Sequence, residues 1–328
     1  MPTKRNPIAR VIDSVSPILT MERDGLVVIA LETRWDEQGP AYLTLDQASQ
    51  ENVIEIHEDG LGAVASVEAQ TGRSPVVLFG GDTLVGGKQN RIVNVTVWLQ
   101  AMAATSIPVT CLEQGRWDPG VSATFRSGPK ADLNLRAALS RQVETNARWA
   151  HEAGDVAGRF EADQGSVWDA VDAKHDRAAT TSDTGALHDL YAREAQDVES
   201  LERAFPCPDG TTAAAIGIGG RLVALELYDR PATLRRLWGR VIEGAVRAHL
   251  DHQRLVAAGA VPEASHRFPD RGALDRLLAR TRSAQRDANR GPSVGQGTDV
   301  RFGTERITGS ALLVDEHLVH AEVHRVIA

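Results

Sequence analysis

The sequence predicts an α+β protein: an antiparallel, hairpin-built β region made from both chain ends, with a long helical insertion between them. Three observations predict it. Short apolar runs with period-two alternation gather at the two ends of the chain. Stripes recurring every fourth residue fill the middle. Turn-forming pairs (Asp24-Gly25, Gly219-Gly220, Asp315-Glu316) stand between neighbouring strand candidates.

Taken in order, "LVVIALE" after Asp24-Gly25 and "PVVLF" before Gly80-Gly81 read as strands. In residues 92–99, Val93, Val95, Val97 and Leu99 share one face and Ile92, Asn94, Thr96 and Trp98 the other, the period of one half-buried strand. "IPVTCLE" follows as its antiparallel neighbour. Residues 116–131 are rich in Pro, Gly and Ser and read as a connection. Beyond it Leu135, Leu139 and Val143 mark a helix, and Ser166 with Asp169 offers a capping box ahead of Val167. Leu187, Leu190, Tyr191, Val198, Leu201 and Phe205 make one apolar helical stripe, preceded by a loop, "KHDRAATTSDTG". Gly219-Gly220 supplies a hairpin turn, and Pro231 opens a helix whose buried face carries Leu234, Leu237, Trp238 and Val241, with Asp229 as its expected cap. Residues 282–306 read as a linker, and "ALLV-DE-HLVHAEV" closes the chain as a hairpin. Four places put a turn-like pair just before Leu-Val: Asp24-Gly25, Gly80-Gly81, Gly219-Gly220 and Asp315-Glu316. Repeated hairpins and convergent turn chemistry explain them equally well. The whole of 1–328 is read as one globular unit with a β-rich lobe at 11–118, a helical lobe at 130–205 and a hairpin–helix–hairpin lobe at 212–328.

Net charge of −8 gives no global attraction to a polyanion, so nucleic acid is not an expected partner. No apolar run approaches the ~20 residues of a membrane helix, and the start of the chain carries no apolar core of a signal peptide; a cytoplasmic protein with no membrane partner is expected. Cys111 and Cys207 fit neither a zinc spacing nor a disulfide framework, and Cys111 reads as a small core residue.

The stretch "GGDTLVGGKQNR" carries the candidate chemistry. It is not a phosphate-binding P-loop: Gly81 is one place too early, Gln89 replaces the hydroxyl residue, and a strand rather than a helix follows. Nor do its glycines make a dinucleotide fingerprint. A turn at Gly80-Gly81 and a bulge at Gly86-Gly87 account for them, leaving Lys88, Gln89, Asn90 and Arg91. Antiparallel pairing of 92–99 with "IPVTCLEQ" would bring these to the same end of a sheet as Glu113, Gln114, Arg116 and Trp117. There Glu113 would be the general acid or base, Lys88, Arg91 and Arg116 would hold anionic oxygens, Gln89 and Asn90 would read amides or hydroxyls, and Trp117 would stack.

This motif pair, "GGDTLVGGKQNRIVNVTVWL" and "IPVTCLEQGRW", resembles the signature of the ARG and rhodanese-phosphatase-superfamily-associated protein domain, ARG denoting ADP-ribosylglycohydrolase. The likeness rests on Gly87 to Arg91, Asn94, Thr96, Ile107 to Val109, Cys111, Glu113 and Gly115 to Trp117. It extends through "IGIGGRLVALELYDRP" to cover roughly residues 11–326. The resemblance implies a link to nucleotide or ADP-ribose metabolism and names no catalytic residue, cofactor or reaction.

Two other constellations stand out. His320, Glu322 and His324 alternate on one strand face, a set that suits zinc but is expected to be the solvent face of an edge strand, with Val319, Ala321 and Val323 inward; no metal is assigned. His249 and His252 read as a polar helix flank. Two functions from different classes follow. One is a protein binding, with or without processing, a nucleotide-like or ADP-ribose-like anionic small molecule. The other is a non-catalytic structural or subunit-assembly module, homo-oligomeric or not, in which the same residues hold the fold together.

Overall fold

The computed structural model describes residues 7–34, 39–58, 65–117, 123–153, 158–262 and 269–326. The chain opens with α1 (Pro7–Ser14), β1 (Ser16–Arg23) and β2 (Leu26–Glu32). A second β region follows: β3 (Leu43–Thr44), α2 (Leu45–Gln50), β4 (Ile54–Glu58), β5 (Ser66–Thr71), β6 (Val76–Leu78), β7 (Thr83–Gly86), β8 (Arg91–Val93), β9 (Val97–Leu99), β10 (Ala104–Cys111) and β11 (Phe125–Ser127). The helical insertion holds α3 (Leu133–Ala153), α4 (Gln164–Arg177), α5 (Leu187–Arg193) and α6 (Ala195–Glu202). Then come β12 (Ala213–Ile218), β13 (Arg221–Tyr228), α7 (Pro231–Ala257), α8 (Arg271–Ala284), β14 (Asn289–Pro292), β15 (Thr298–Gly303), β16 (Ile307–Val314) and β17 (His317–Arg325).

Both chain ends meet in one eight-stranded antiparallel sheet, ordered β1-β2-β12-β13-β17-β16-β15-β14. It is built of hairpins because the turn pairs adopt the left-handed backbone that such turns require: Asp24 and Gly25, Gly219 and Gly220, and Asp315 and Glu316 all have positive φ. Three of the four Leu-Val repeats are therefore hairpins of this sheet. The fourth, at Gly80-Gly81, is a turn linking β6 to β7, which lie in different sheets. One face of the large sheet packs on α7, burying Val28, Ala30, Ala214, Trp238 and Val241, among others; the opposite face packs on α1 and α8 through Ile29, Leu225, Leu274 and Leu278. The second β region forms a six-stranded antiparallel sheet (β11-β7-β8-β10-β5-β4) and a small β3-β6-β9 sheet, whose β3–β6 pairing is parallel. No helix among the described residues is long and apolar enough to cross a membrane.

Several expectations are corrected. Residues 92–99 are two strands: β8 pairs with β10 and β9 with β6, and both faces of the run are buried. The alternation holds, but Asn94 and Thr96 are bonded at the break between two sheets. The stripe from Leu187 to Phe205 spans α5 and α6, which break at Glu194. Asp163 rather than Ser166 caps α4, accepting from the Ser166 backbone N–H. The loop "KHDRAATTSDTG" begins inside α4, which runs to Arg177. Asp229 does not occupy the cap; Arg230 holds that position without a side-chain capping bond, and Pro231 starts α7 as expected. Residues 282–306 are the end of α8 followed by β14 and β15. The connection at 116–131 contains β11, with residues 118–122 lying outside the described ones.

Candidate functional site

The β8–β10 register places Cys111 opposite Arg91, so the turn after β7 and the end of β10 do lie side by side. Gly86 and Gly87 sit in the β7–β8 turn with φ of +133° and +53°. A Cβ on Gly87 would stand 2.3 Å from the Phe125 ring and 2.5 Å from Glu58 Oε1, so only glycine lets the turn close against β11 and β4.

The polar side chains of this turn are consumed by one another. Arg91, only 2 % exposed, donates to Gln89 Oε1 at 3.0 Å, Cys111 Sγ at 2.9 Å and Glu58 Oε2 at 3.4 Å. Gln89 Nε2 donates to the Glu113 carbonyl at 2.5 Å. Glu113 accepts from Asn90 N–H at 3.2 Å and Arg116 at 2.7 Å on one oxygen, and from the Thr184 hydroxyl at 2.8 Å on the other. Arg116 also donates to the Gly87 carbonyl at 2.7 Å and to Asn90 Oδ1 at 3.2 Å. Burial pushes the Glu113 carboxyl up, but the bonds from Arg116, Thr184 and Asn90 outweigh it and hold it below the usual range. Burial drives the Cys111 thiol up to about 11, against the pull of Arg91, so it is no nucleophile at neutral pH. Only the rim faces solvent: Lys88 is exposed, as is Trp117 at 57 %. Beside the cluster lies a crevice of about 10 Å³ lined by Thr83, Val85, Asn90, Leu112, Leu187 and His188, room for one water and not for a nucleotide.

The sequence reading missed a larger polar layer, buried between the large sheet, α3 and the Gly80-Gly81 turn. Glu226 and Glu322 face each other directly across β13 and β17, a like-charge pairing that is destabilising by itself. Arg136 of α3 bridges them, donating to Glu226 Oε1 at 2.6 Å and Glu322 Oε2 at 2.8 Å. Lys130 (3.3 Å) and Arg240 (3.5 Å) answer Asp82. Three carboxylates thus meet three cations. Burial raises Glu226, yet Arg136 and Lys130 bring it down to about 2. His320 accepts or donates at Thr96 Oγ1 (3.0 Å) and stands edge-on to the Phe79 ring. The His320–Glu322–His324 row is therefore not a solvent face: β17 lies inside the sheet with both faces buried. Among the described residues no three His, Cys, Asp or Glu side chains are placed to hold a metal ion.

A third cluster ties the helices together. Lys174 contacts Asp132 at 2.9 Å and Asp251 at 3.2 Å; Arg247 and Arg254 hold Glu194 at 3.2 and 2.6 Å. The cavity among them is again about 10 Å³. One signal for the missed layers is in α3, where Arg136, Ser140 and Glu144 repeat every fourth residue beside the Leu135–Leu139–Val143 stripe, and both rows are buried.

A family model described as the ARG and Rhodanese-Phosphatase-superfamily-associated Protein domain matches residues 16–324. Neither a curated protein nor a solved structure matches the chain.

Proposed function

The chain belongs to the ARG and Rhodanese-Phosphatase-superfamily-associated Protein domain family, and from that premise we propose that its motif cluster is an internal clamp and the chain a non-catalytic structural or assembly module. One observation carries this reading: both carboxylate oxygens of Glu113 are already bonded within the protein. A carboxylate held ionised by Arg116, Thr184 and a backbone N–H has no proton to give at neutral pH, and this one is buried away from any substrate. The clamp joins four pieces: the β7–β8 turn, the end of β10, Glu58 of β4, and the α4–α5 loop through Thr184.

The exposure of Lys88 and Trp117 on either side of Arg116 favours a second reading, in which the rim binds a nucleotide-like or ADP-ribose-like anion. A thermal-shift screen of ADP-ribose, NAD, nucleotides and sugar phosphates separates the two. Under the clamp reading Arg91→Ala and Glu113→Gln unfold at lower temperature, and no ligand gives a shift that depends on these residues or on Lys88 and Trp117. A ligand whose stabilisation disappears in folded Lys88→Ala or Trp117→Ala protein overturns it in favour of the second.

A further inference from the structure

Four arginines converge where the large sheet ends: Arg221 opens β13, Arg325 closes β17, Arg306 lies in the β15–β16 turn and Arg280 is on α8. Register brings the first three together. Arg325 pairs with Ile307, the neighbour of Arg306, and Val326 N–H donates to the Arg306 carbonyl at 2.9 Å. Ala224 pairs with His324, so the start of β13 runs beside the end of β17, and α8 packs over β13 and β16. None of the four guanidinium groups has a hydrogen-bond or ion-pair partner among the described residues. Other arginines of α8 do have one: Arg271 meets Asp275, Arg276 meets Asp270, and Arg282 meets Asp13. Arg325 is half-buried, and burial together with repulsion from Arg221, Arg280 and Arg306 depresses its affinity for its proton, with no carboxylate of the described residues acting in the other direction.

We propose that this arginine cluster is a binding site for a phosphoryl group carrying two or more negative charges on a small molecule. The interior clusters pair each cation with a carboxylate, whereas these four charges repel one another without an answering anion among the described residues, in a chain of net charge −8. Guanidinium forks match phosphoryl oxygens bidentately, and they remain charged at any physiological pH. Nucleic acid is the poorer fit. Its backbone calls for a basic groove or stripe, and these arginines surround a single half-buried one, with no exposed aromatic among the large exposed hydrophobics of β13, β17 or α8 for bases to stack on. The site lies on the large sheet and shares no residue with the motif cluster, so it goes beyond the clamp reading.

The test is calorimetric titration of the full chain with inorganic pyrophosphate and with orthophosphate at constant ionic strength. The variants are Arg280→Gln, Arg325→Gln and, as a control, the exposed Arg73→Gln. Pyrophosphate is expected to bind saturably at one site, with affinity falling about tenfold or more in Arg280→Gln and Arg325→Gln and unchanged in Arg73→Gln. Without ligand, Arg280→Gln is expected to unfold at the same or a higher temperature, because a repelling charge has gone. Three results would overturn the proposal: no saturable binding, equal binding by all variants, or a ligand-free loss of stability in Arg280→Gln, which would make these arginines fold contacts. A single-stranded oligonucleotide that binds more tightly than pyrophosphate, at the same arginines, would replace the small-molecule site with a nucleic-acid surface.

Discussion

His320 is neutral because of where it is packed. It faces the Phe79 and Tyr228 rings, Thr96, Glu226, Glu322, Lys130 and Arg136, and burial together with the two cations brings it down to about 4, although both glutamates pull the other way. In the unfolded chain it titrates near 6.5. Between those values the unfolded state binds a proton that the folded state refuses, so stability falls as pH drops from about 6.5 to about 4. The slope is about 1.4 kcal/mol per pH unit for one such group. His249 and His252 are also depressed, chiefly by burial, and add to the slope. Glu226 and Glu322 act in a lower window: their folded pKa values are depressed, that of Glu226 to about 2, so their contribution is lost only as pH falls below the ordinary glutamate value. Urea unfolding of His320→Gln from pH 4 to 7 is expected to show a shallower pH dependence than wild type, by about one proton. An unchanged slope would mean that His320 is not the buried neutral base. This residue was visible in the sequence as part of an alternating row. Its burial was not, because alternation reads the same in an edge strand and in a central strand covered on both faces.

At the scale of elements, the β7–β8 turn is a place where glycine is required twice over. Gly87 has φ of +53°, and a side chain there would also meet Phe125 and Glu58. Gly210 has φ of +77° with nothing within 4 Å of an added Cβ. Gly210→Ala therefore measures the backbone cost alone, about 1–2 kcal/mol. Gly87→Ala is expected to cost more, because the clamp around Glu58 and Arg91 must shift as well. Equal losses in chemical denaturation would show that the turn relaxes freely and that its close packing contributes nothing. Pairing of the two motif segments was legible in the sequence, since antiparallel strand direction fixes which ends meet. That their polar groups satisfy one another was not, because Glu58 and Thr184 arrive from elements 33 and 71 residues away from the groups they bond.

For the whole molecule, the lobes are united by a shared apolar core and by buried charged contacts. Arg136 reaches from the helical insertion to Glu226 and Glu322, and Lys130 joins the insertion's threshold to Asp82. Separating the insertion from the sheet would expose the apolar surface that the lobes bury together, Phe79, Leu133, Val198 and Leu234 among it. The chain is accordingly expected to unfold in one cooperative step, with tryptophan fluorescence and far-ultraviolet dichroism coincident. Two separated transitions, the first confined to helical signal, would show instead that the lobes are independent.

Local pattern by itself determined the α+β class, the three hairpins of the large sheet, the start of α7 and the meeting of the two motif segments. Each depends on turn chemistry or periodicity that a few neighbouring residues carry. Tertiary structure alone decided that residues 92–99 divide between two sheets, that β17 is central, and that Arg136, Glu226 and Glu322 form one buried bridge. It also decided that Arg221, Arg280, Arg306 and Arg325 stand together without a counter-charge among the described residues. The physical reason is common to all four: burial and charge pairing are properties of distant segments brought together, and the sequence around each residue does not contain its partner.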